Sequence, residues 1–312
     1  MSKITIIGSG SWAQALSTIF IEKNILVKCR NIKTANERFK NRNMILTDSF
    51  KKLQNSEFIF LAIPSQAVRK NLSLLKQETT ENRSIFIICS KGVEKKTNKL
   101  MSEIVNELFP HNEIAIFSGP NFSSELIAKK PSASVLSSKN KSTSLKVSKL
   151  ISPKNFRIYF NNDIIGTQLG GAMKNVIAIA CGLIQGKNLG ENAKAAIITR
   201  GISEIVKLGL KMGAKRNTFY GLSGIGDLTL TCSSLKSRNT RLGFEMAKGQ
   251  KLIHLKKNCV LEGVESCQSI CNLGDSFKVE LPLCNSIKKI INGAKVDSII
   301  LNLLSRPLQF EN

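Results

Sequence analysis

Three polar residues stand where an apolar helical protein would have none. Lys174 and Asn175 interrupt an apolar run from Ala172 to Ile184, and Asp227 is the only acid between Glu204 and Glu245, in Gly-rich, apolar sequence. An ammonium or carboxylate placed so is costly unless it is paired or used for chemistry. Lys174 falls on a helical face with Gly170, Ile177, Ala178 and Cys181. Burial there lowers a lysine's pKa toward the range useful for proton transfer. The competing reading is a buried stem whose amine reaches water, but the surrounding sequence is apolar on every face. Asp227 reads equally as a turn or N-cap aspartate after Gly226, or as a carboxylate that pairs with an active-site lysine. Ser237-Arg238-Asn239 joins hydroxyl, guanidinium and amide donors at a helix start. The trio suits a phosphate dianion; a capping serine beside a surface arginine is the plainer alternative.

The elements that must position these groups fall into two rhythms. Strand-like runs at Lys3–Ile7, Ile25–Cys29, Glu57–Ile63, Ser84–Cys89, Ile114–Phe117, Ala133–Ser137 and Phe156–Phe160 alternate with helical patterns at Ser11–Glu22, Ser65–Leu75 and Lys99–Leu108. That alternation predicts an α/β fold with a Rossmann-type, doubly wound parallel sheet. After a polar break at Asn161-Asn162-Asp163, with Asp163 as N-cap, helical patterns dominate: Ala172–Leu183, Asn192–Met212, Asn239–Lys248, Gly263–Leu273 and Leu283–Ile291. The expected organisation is a dinucleotide-binding domain over residues 1–162 and a mainly α-helical substrate domain over 163–312.

Ile4-Thr5-Ile6-Ile7 runs into Gly8-Ser9-Gly10-Ser11-Trp12-Ala13 and then a helix. This is G-x-G-x-x-A in a strand–turn–helix setting. Gly8 permits the turn, Gly10 lets backbone approach a pyrophosphate, and the helix N-terminus offers N–H groups to the anion. The second strand ends in Lys28-Cys29-Arg30-Asn31, with no acid for the ribose hydroxyls of NAD(H). Arg30 could instead meet a 2′-phosphate, which leans toward NADP(H), or be one of many surface cations. Three further turns, Ala62-Ile63-Pro64-Ser65-Gln66, Ser90-Lys91-Gly92 and Gly119-Pro120-Asn121, fall at predicted carboxyl ends of strands, where doubly wound sheets bind ligands.

The 312 residues are enough for two ordinary domains with real cores, and 42% hydrophobic content is that of a globular protein. The net charge of +24 would suit nucleic acid or an anionic membrane, but the lysines are scattered and aromatic content is only 6%. A lysine-rich bias explains the charge as well, so no nucleic-acid partner is expected, and a basic surface favours phosphorylated substrates. Eight cysteines, Cys29, Cys89, Cys181, Cys232, Cys259, Cys267, Cys271 and Cys284, include no CxxC. With only His111 and His254 as histidines, buried free thiols are expected and no metal site. No run approaches a membrane span and the first residues read as strand and turn, so the expected location is cytoplasmic, without membrane insertion.

In order, GSGSWAQAL, AIPSQAVR, SKGVE, SGPNFSSE, QLGGAMKNVIAIACGL, NAKAAIITRG, TFYGLSGIGDLTLTCSSLKSRN and VLEGVES resemble the bacterial NAD(P)-dependent glycerol-3-phosphate dehydrogenases over nearly the whole chain. The resemblance implies interconversion of dihydroxyacetone phosphate and sn-glycerol 3-phosphate, feeding phospholipid synthesis, with a homodimer plausible. It places Gly8, Gly10, Ser11, Trp12, Arg30, Ser123, Val260 and Glu262 at cofactor positions, with Lys91 and Arg238 touching cofactor and substrate. Lys174 matches the general acid/base, assisted by Lys91 and Asp227. Gly119, Asn121, Asn175, Asp227, Ser237, Arg238 and Asn239 fall in the substrate pocket. The chain departs from the family pattern at Ala13 (usually Gly), Asn121 (commonly Ser) and Ser123 (commonly Ala). A related two-domain reductase acting on another small acid or ketone is the alternative, and the run from Thr218 to Asn239 matches the glycerol-phosphate family better. A non-catalytic nicotinamide sensor is disfavoured by the presence of Lys91, Lys174 and Asp227 together.

Overall fold

The computed structural model describes residues 3–21, 24–39, 44–80, 83–151, 154–256 and 260–299. Glu22, Cys259 and residues 300–312 therefore lie outside the described residues. Eight strands form one sheet: β1 (Ile4–Ile7), β2 (Ile25–Lys28), β3 (Met44–Thr47), β4 (Phe58–Leu61), β5 (Ile85–Ile88), β6 (Ile114–Ser118), β7 (Ser132–Ser137) and β8 (Phe156–Asn161). Their spatial order is β3-β2-β1-β4-β5-β6-β7-β8. Helices α1 (Ser11–Ile19), α2 (Ile32–Phe39), α3 (Val68–Glu78), α4 (Met101–Leu108), α5 (Ser123–Ile127) and α6 (Lys141–Ser148) are interleaved with the strands.

Alternation along each strand divides the apolar side chains between the two sheet faces. Ile4, Ile6, Phe58 and Phe60 pack with Ala13 and Leu16 of α1 on one face. Ile7, Ile59, Leu61 and Ile88 pack with Leu72 and Ile104 of α3 and α4 on the other. Both faces are covered, so β1, β2, β4 and β5 are buried along their full length.

Two features depart from the sequence expectation. The sheet is not wholly parallel, because β7 runs antiparallel to β6, with Ile116 opposite Ser137. β3 is also an additional strand; its mixed exposure hides the period-2 pattern of a buried strand.

Beyond β8 the chain is helical: α7 (Ile164–Gly186), α8 (Gly190–Lys211), α9 (Arg216–Phe219), α10 (Asp227–Cys232), α11 (Arg238–Ala247), α12 (Leu252–Lys256), α13 (Glu262–Ser276) and α14 (Pro282–Ile291). α7 begins at Ile164 rather than Ala172, and Asp163 is its N-cap, accepting from the Gly166 N–H at 2.8 Å. The other Asp163 oxygen accepts from the Lys215 N–H and the Thr218 hydroxyl, tying the α8–α9 connection to the same point. α7 is apolar on all sides and runs through the middle of the helical layer, where α8, α10, α11 and α13 cover it. By length and composition it could cross a membrane, but 94% of its apolar window is buried inside the protein. Val93 and Leu100, from the segment after β5, join that helical core. The carboxyl edge of the sheet is thereby docked against α7 and α13.

Candidate active site

Strand order reverses between β1 and β4, and in an open α/β sheet the crevice at such a switch lies beyond the carboxyl ends of the strands. The glycine turn sits at that point. Gly8 has φ +121°, and a Cβ there would lie 2.3 Å from the carbonyl oxygen of Ala62, at the end of β4. Only glycine meets both conditions. At Gly10, by contrast, a Cβ would meet nothing within 4 Å. Gly10 is the N-cap of α1 without a side-chain cap, so the first N–H groups of the helix open toward free space. This cradle fits the pyrophosphate of a dinucleotide. Ser11 is exposed beside it. Trp12 packs on Phe117 at 6.4 Å between ring centroids.

Beyond the carboxyl ends of the strands two lysines converge on one carboxylate. Asp227, the first residue of α10, is fully buried. One of its oxygens accepts from Lys174 Nζ at 2.5 Å and the other from Lys91 Nζ at 2.6 Å. Lys174 also donates to the Thr231 hydroxyl at 2.8 Å, and Lys91 to the Gly119 carbonyl at 3.1 Å. Each ammonium has three donors, so each retains one. Lys174 is 7% exposed, whereas the Lys91 side chain is 20% exposed and forms the open side of the centre. Burial pushes the Lys174 ammonium down to about 8; Asp227 opposes the shift and Lys91 adds to it. Two cations share one anion, leaving a net positive charge in a poorly solvated place.

The segment carrying Lys91 is gripped from both sides. A Cβ on Gly92 would lie 2.4 Å from Ser65 Oγ and 2.7 Å from Ser266 Oγ. Ser65 belongs to the turn after β4, and Ser266 belongs to α13 and accepts from the Val93 N–H at 3.1 Å. Glu262, the first residue of α13, accepts from the Ser65 N–H at 2.9 Å and the Ser65 hydroxyl at 2.5 Å. Burial raises the Glu262 carboxyl above its ordinary pKa, against the pull of Ser65 and Arg238.

Asn175 and Asn239 are spoken for within the helical layer. The Gly263 N–H donates to Asn239 Oδ1, Asn239 Nδ2 to Asn175 Oδ1, and Asn175 Nδ2 to the Gly171 carbonyl. This relay joins α13, α11 and α7, and each amide keeps a second N–H. Ser237 is the N-cap of α11, its hydroxyl accepting from the Thr240 N–H. The plainer alternative therefore describes that hydroxyl, while Arg238 beside it is exposed. Asn121 is tied down by its bonds to the Pro120 and Ala133 carbonyls and the Ser134 hydroxyl.

Arg30, Ser123 and Val260 have no bond to the lysine–aspartate centre among the described residues. Arg30 and Val260 are exposed, and Ser123 opens α5. Thr231 and Ser266 were missed by sequence reasoning, whereas Ser65 and Gly92 were named only as members of the strand-end turns. Thr231 had a signal, since it stands one helical turn after Asp227 and shares its face. Seven described cysteines are buried and free, and no His/Cys/Asp/Glu cluster suited to a metal occurs among the described residues.

The sequence profile described as the NAD-dependent glycerol-3-phosphate dehydrogenase N-terminus matches residues 3–144, and the one described as its C-terminus matches 163–301. The chain is 37% identical to a glycerol-3-phosphate dehydrogenase [NAD(P)+] of Zymomonas mobilis, across 99% of this chain and 94% of the relative. It is 35% identical to the corresponding protein of Parvibaculum lavamentivorans, across 99% and 98% of the two chains. The crystal structure of glycerol-3-phosphate dehydrogenase from Coxiella burnetii superposes with a TM-score of 0.91 at 28% identity, covering 97% of this chain and 98% of that one. Glycine cradle, helical layer and full-length similarity agree: this chain belongs to the NAD-dependent glycerol-3-phosphate dehydrogenase family.

Proposed function

We propose that the chain interconverts dihydroxyacetone phosphate and sn-glycerol 3-phosphate at the Lys174–Asp227–Lys91 centre. Residues 1–162 would serve as the cofactor domain and 163–312 as the substrate domain. The observation that carries this reading is the fully buried Asp227 bonded to two lysines from different layers of the molecule. Gly8, Gly10 and the N-terminus of α1 would hold a nicotinamide cofactor, which would supply the hydride for the C2 carbonyl. Lys174, as the ammonium, gives its proton to the carbonyl oxygen as negative charge develops there. Asp227 and Thr231 hold Nζ in place, and Lys91 offers its free donor and its charge to the same oxygen or to the phosphate. Arg238, exposed at the start of α11, grips the phosphate with the help of that helix N-terminus. In the oxidative direction neutral Lys174 takes the hydroxyl proton, and the pocket groups keep their places.

The same reading gives a cytoplasmic enzyme, assembled as a homodimer, that supplies glycerol 3-phosphate for phospholipid synthesis. Purified protein should oxidise NADPH or NADH only when dihydroxyacetone phosphate is added. Folded, cofactor-binding protein that is inert with this ketone but active on another small ketone or acid would move the substrate assignment to the related reductases.

A further inference from the structure

The glycine turn holds a cation that the mechanism does not use. Arg38, in the last turn of α2, reaches back to the glycine turn, where its Nη1 donates to the Ser9 carbonyl at 2.6 Å. Its position is fixed from both sides. Gln14 of α1 donates to the Arg38 carbonyl at 2.9 Å, and Asn31 Oδ1 accepts from the Thr34 N–H at the start of α2. The Gly8 N–H donates to the Lys28 carbonyl at 2.9 Å, so the glycine turn lies against the end of β2, two residues before Arg30. Arg30 thus follows the strand end against which the glycine turn lies, Arg38 bonds to that turn, and both are exposed.

Neither arginine is in an ion pair among the described residues, and the one hydrogen bond from these two guanidinium groups goes to a neutral carbonyl. Residues 28–36 contain no acid. Glu37 is adjacent in the helix and so does not share the Arg38 face, and Asp48, after β3, pairs with neither arginine. A guanidinium held at the rim of a dinucleotide cradle with four N–H donors unspent is suited to a phosphate oxygen pair.

We propose that Arg38, together with Arg30, recognises the 2′-phosphate of the cofactor's adenosine ribose, making Arg38 a residue that selects NADP(H) over NAD(H). The inference rests on the dinucleotide reading of the cradle. A cation aimed only at the pyrophosphate would help both cofactors alike and carry no selectivity.

The test is calorimetric binding, which is independent of turnover, of NADP⁺, NAD⁺ and adenosine 2′-monophosphate to the wild type and to Arg38→Met, Arg38→Lys and Arg30→Met. The last ligand carries a 2′-phosphate and no pyrophosphate. Arg38 is exposed, so the variants should keep the wild-type melting temperature. The expected result is loss of about tenfold in NADP⁺ and adenosine 2′-monophosphate affinity in Arg38→Met, with NAD⁺ within about twofold of wild type and Arg38→Lys in between. Equal weakening of NADP⁺ and NAD⁺ would overturn the proposal and make Arg38 a brace for the Ser9 turn. No preference for NADP⁺ in the wild type would overturn it as well. Binding of none of the three ligands would refute the cradle itself, a failure distinct from loss of selectivity.

Discussion

At the scale of single residues, the centre is a matter of charge without solvent. Asp227 and Lys174 were legible in the sequence because their polarity contradicts everything around them. Pairing of Asp227 with a lysine was one of the two readings open in the sequence; that both Lys91 and Lys174 reach it was not legible, since nothing in their spacing dictates that three distant segments meet. Thr231 escaped because Asp227–Cys232 reads Asp-Leu-Thr-Leu-Thr-Cys, a β-branched alternation, yet forms a short helix after the Gly-rich turn. Its hydroxyl accepts from the charged form of Lys174 and so favours that form. Thr231→Val, which keeps the shape, should move the apparent pKa in the kcat/KM–pH profile, which follows the free enzyme, below that of the wild type. It should also lower kcat by about tenfold, the effect of one charged hydrogen bond. An unshifted profile with unchanged kcat would remove Thr231 from the support of the lysine.

Among the elements, the loops after β4 and β5 and the N-terminal half of α13 act as one clamp on the segment bearing Lys91. The three strand-end turns picked out in the sequence all lie on this crevice edge, because a doubly wound sheet delivers its ligand-binding loops there whatever their sequence. What the sequence could not indicate is that Gly92 is wedged between Ser65 and Ser266. Ser65 was named only as part of a strand-end turn and Ser266 not at all, yet they are 1% and 0% exposed. Gly92→Ala forces its new Cβ against both hydroxyls, a strain of about 1–3 kcal/mol that displaces Lys91 from Asp227. The expected outcome is a rise of about tenfold in the KM for dihydroxyacetone phosphate in protein that still melts cooperatively at the wild-type temperature to within a few degrees. An unchanged KM would show instead that the wedge does not position Lys91. The antiparallel β7 was invisible for a related reason: its side-chain alternation is the same in either direction, and only the path of the chain through α5 sets its sense.

Over the whole molecule, one apolar helix organises the helical layer, and the sheet edge docks on it through Val93 and Leu100. Lys91 comes from the sheet layer, Lys174 from α7 and Asp227 from α10, so the charge centre exists only when the layers are together. The change of rhythm near Asp163 was readable because α/β alternation and continuous helical periodicity are different signals, and the Asp163 cap marks the switch. The net charge of +24 misleads at this scale, because it belongs to scattered surface lysines and not to one patterned element. On the proposed reading Lys174 is the proton donor in ketone reduction, and the most direct measurement is kcat/KM for dihydroxyacetone phosphate reduction, from neutral to alkaline pH, in wild type and Lys174→Ala. With the ammonium as the active form in reduction, wild-type kcat/KM, which follows the free enzyme, should fall as pH rises through about 8, while that for glycerol 3-phosphate oxidation should rise through the same range. Lys174→Ala should lose roughly 10²–10⁴-fold in kcat/KM together with that pH dependence, and keep cofactor binding. Turnover near the wild-type rate with an unchanged pH profile in Lys174→Ala would contradict the assignment outright.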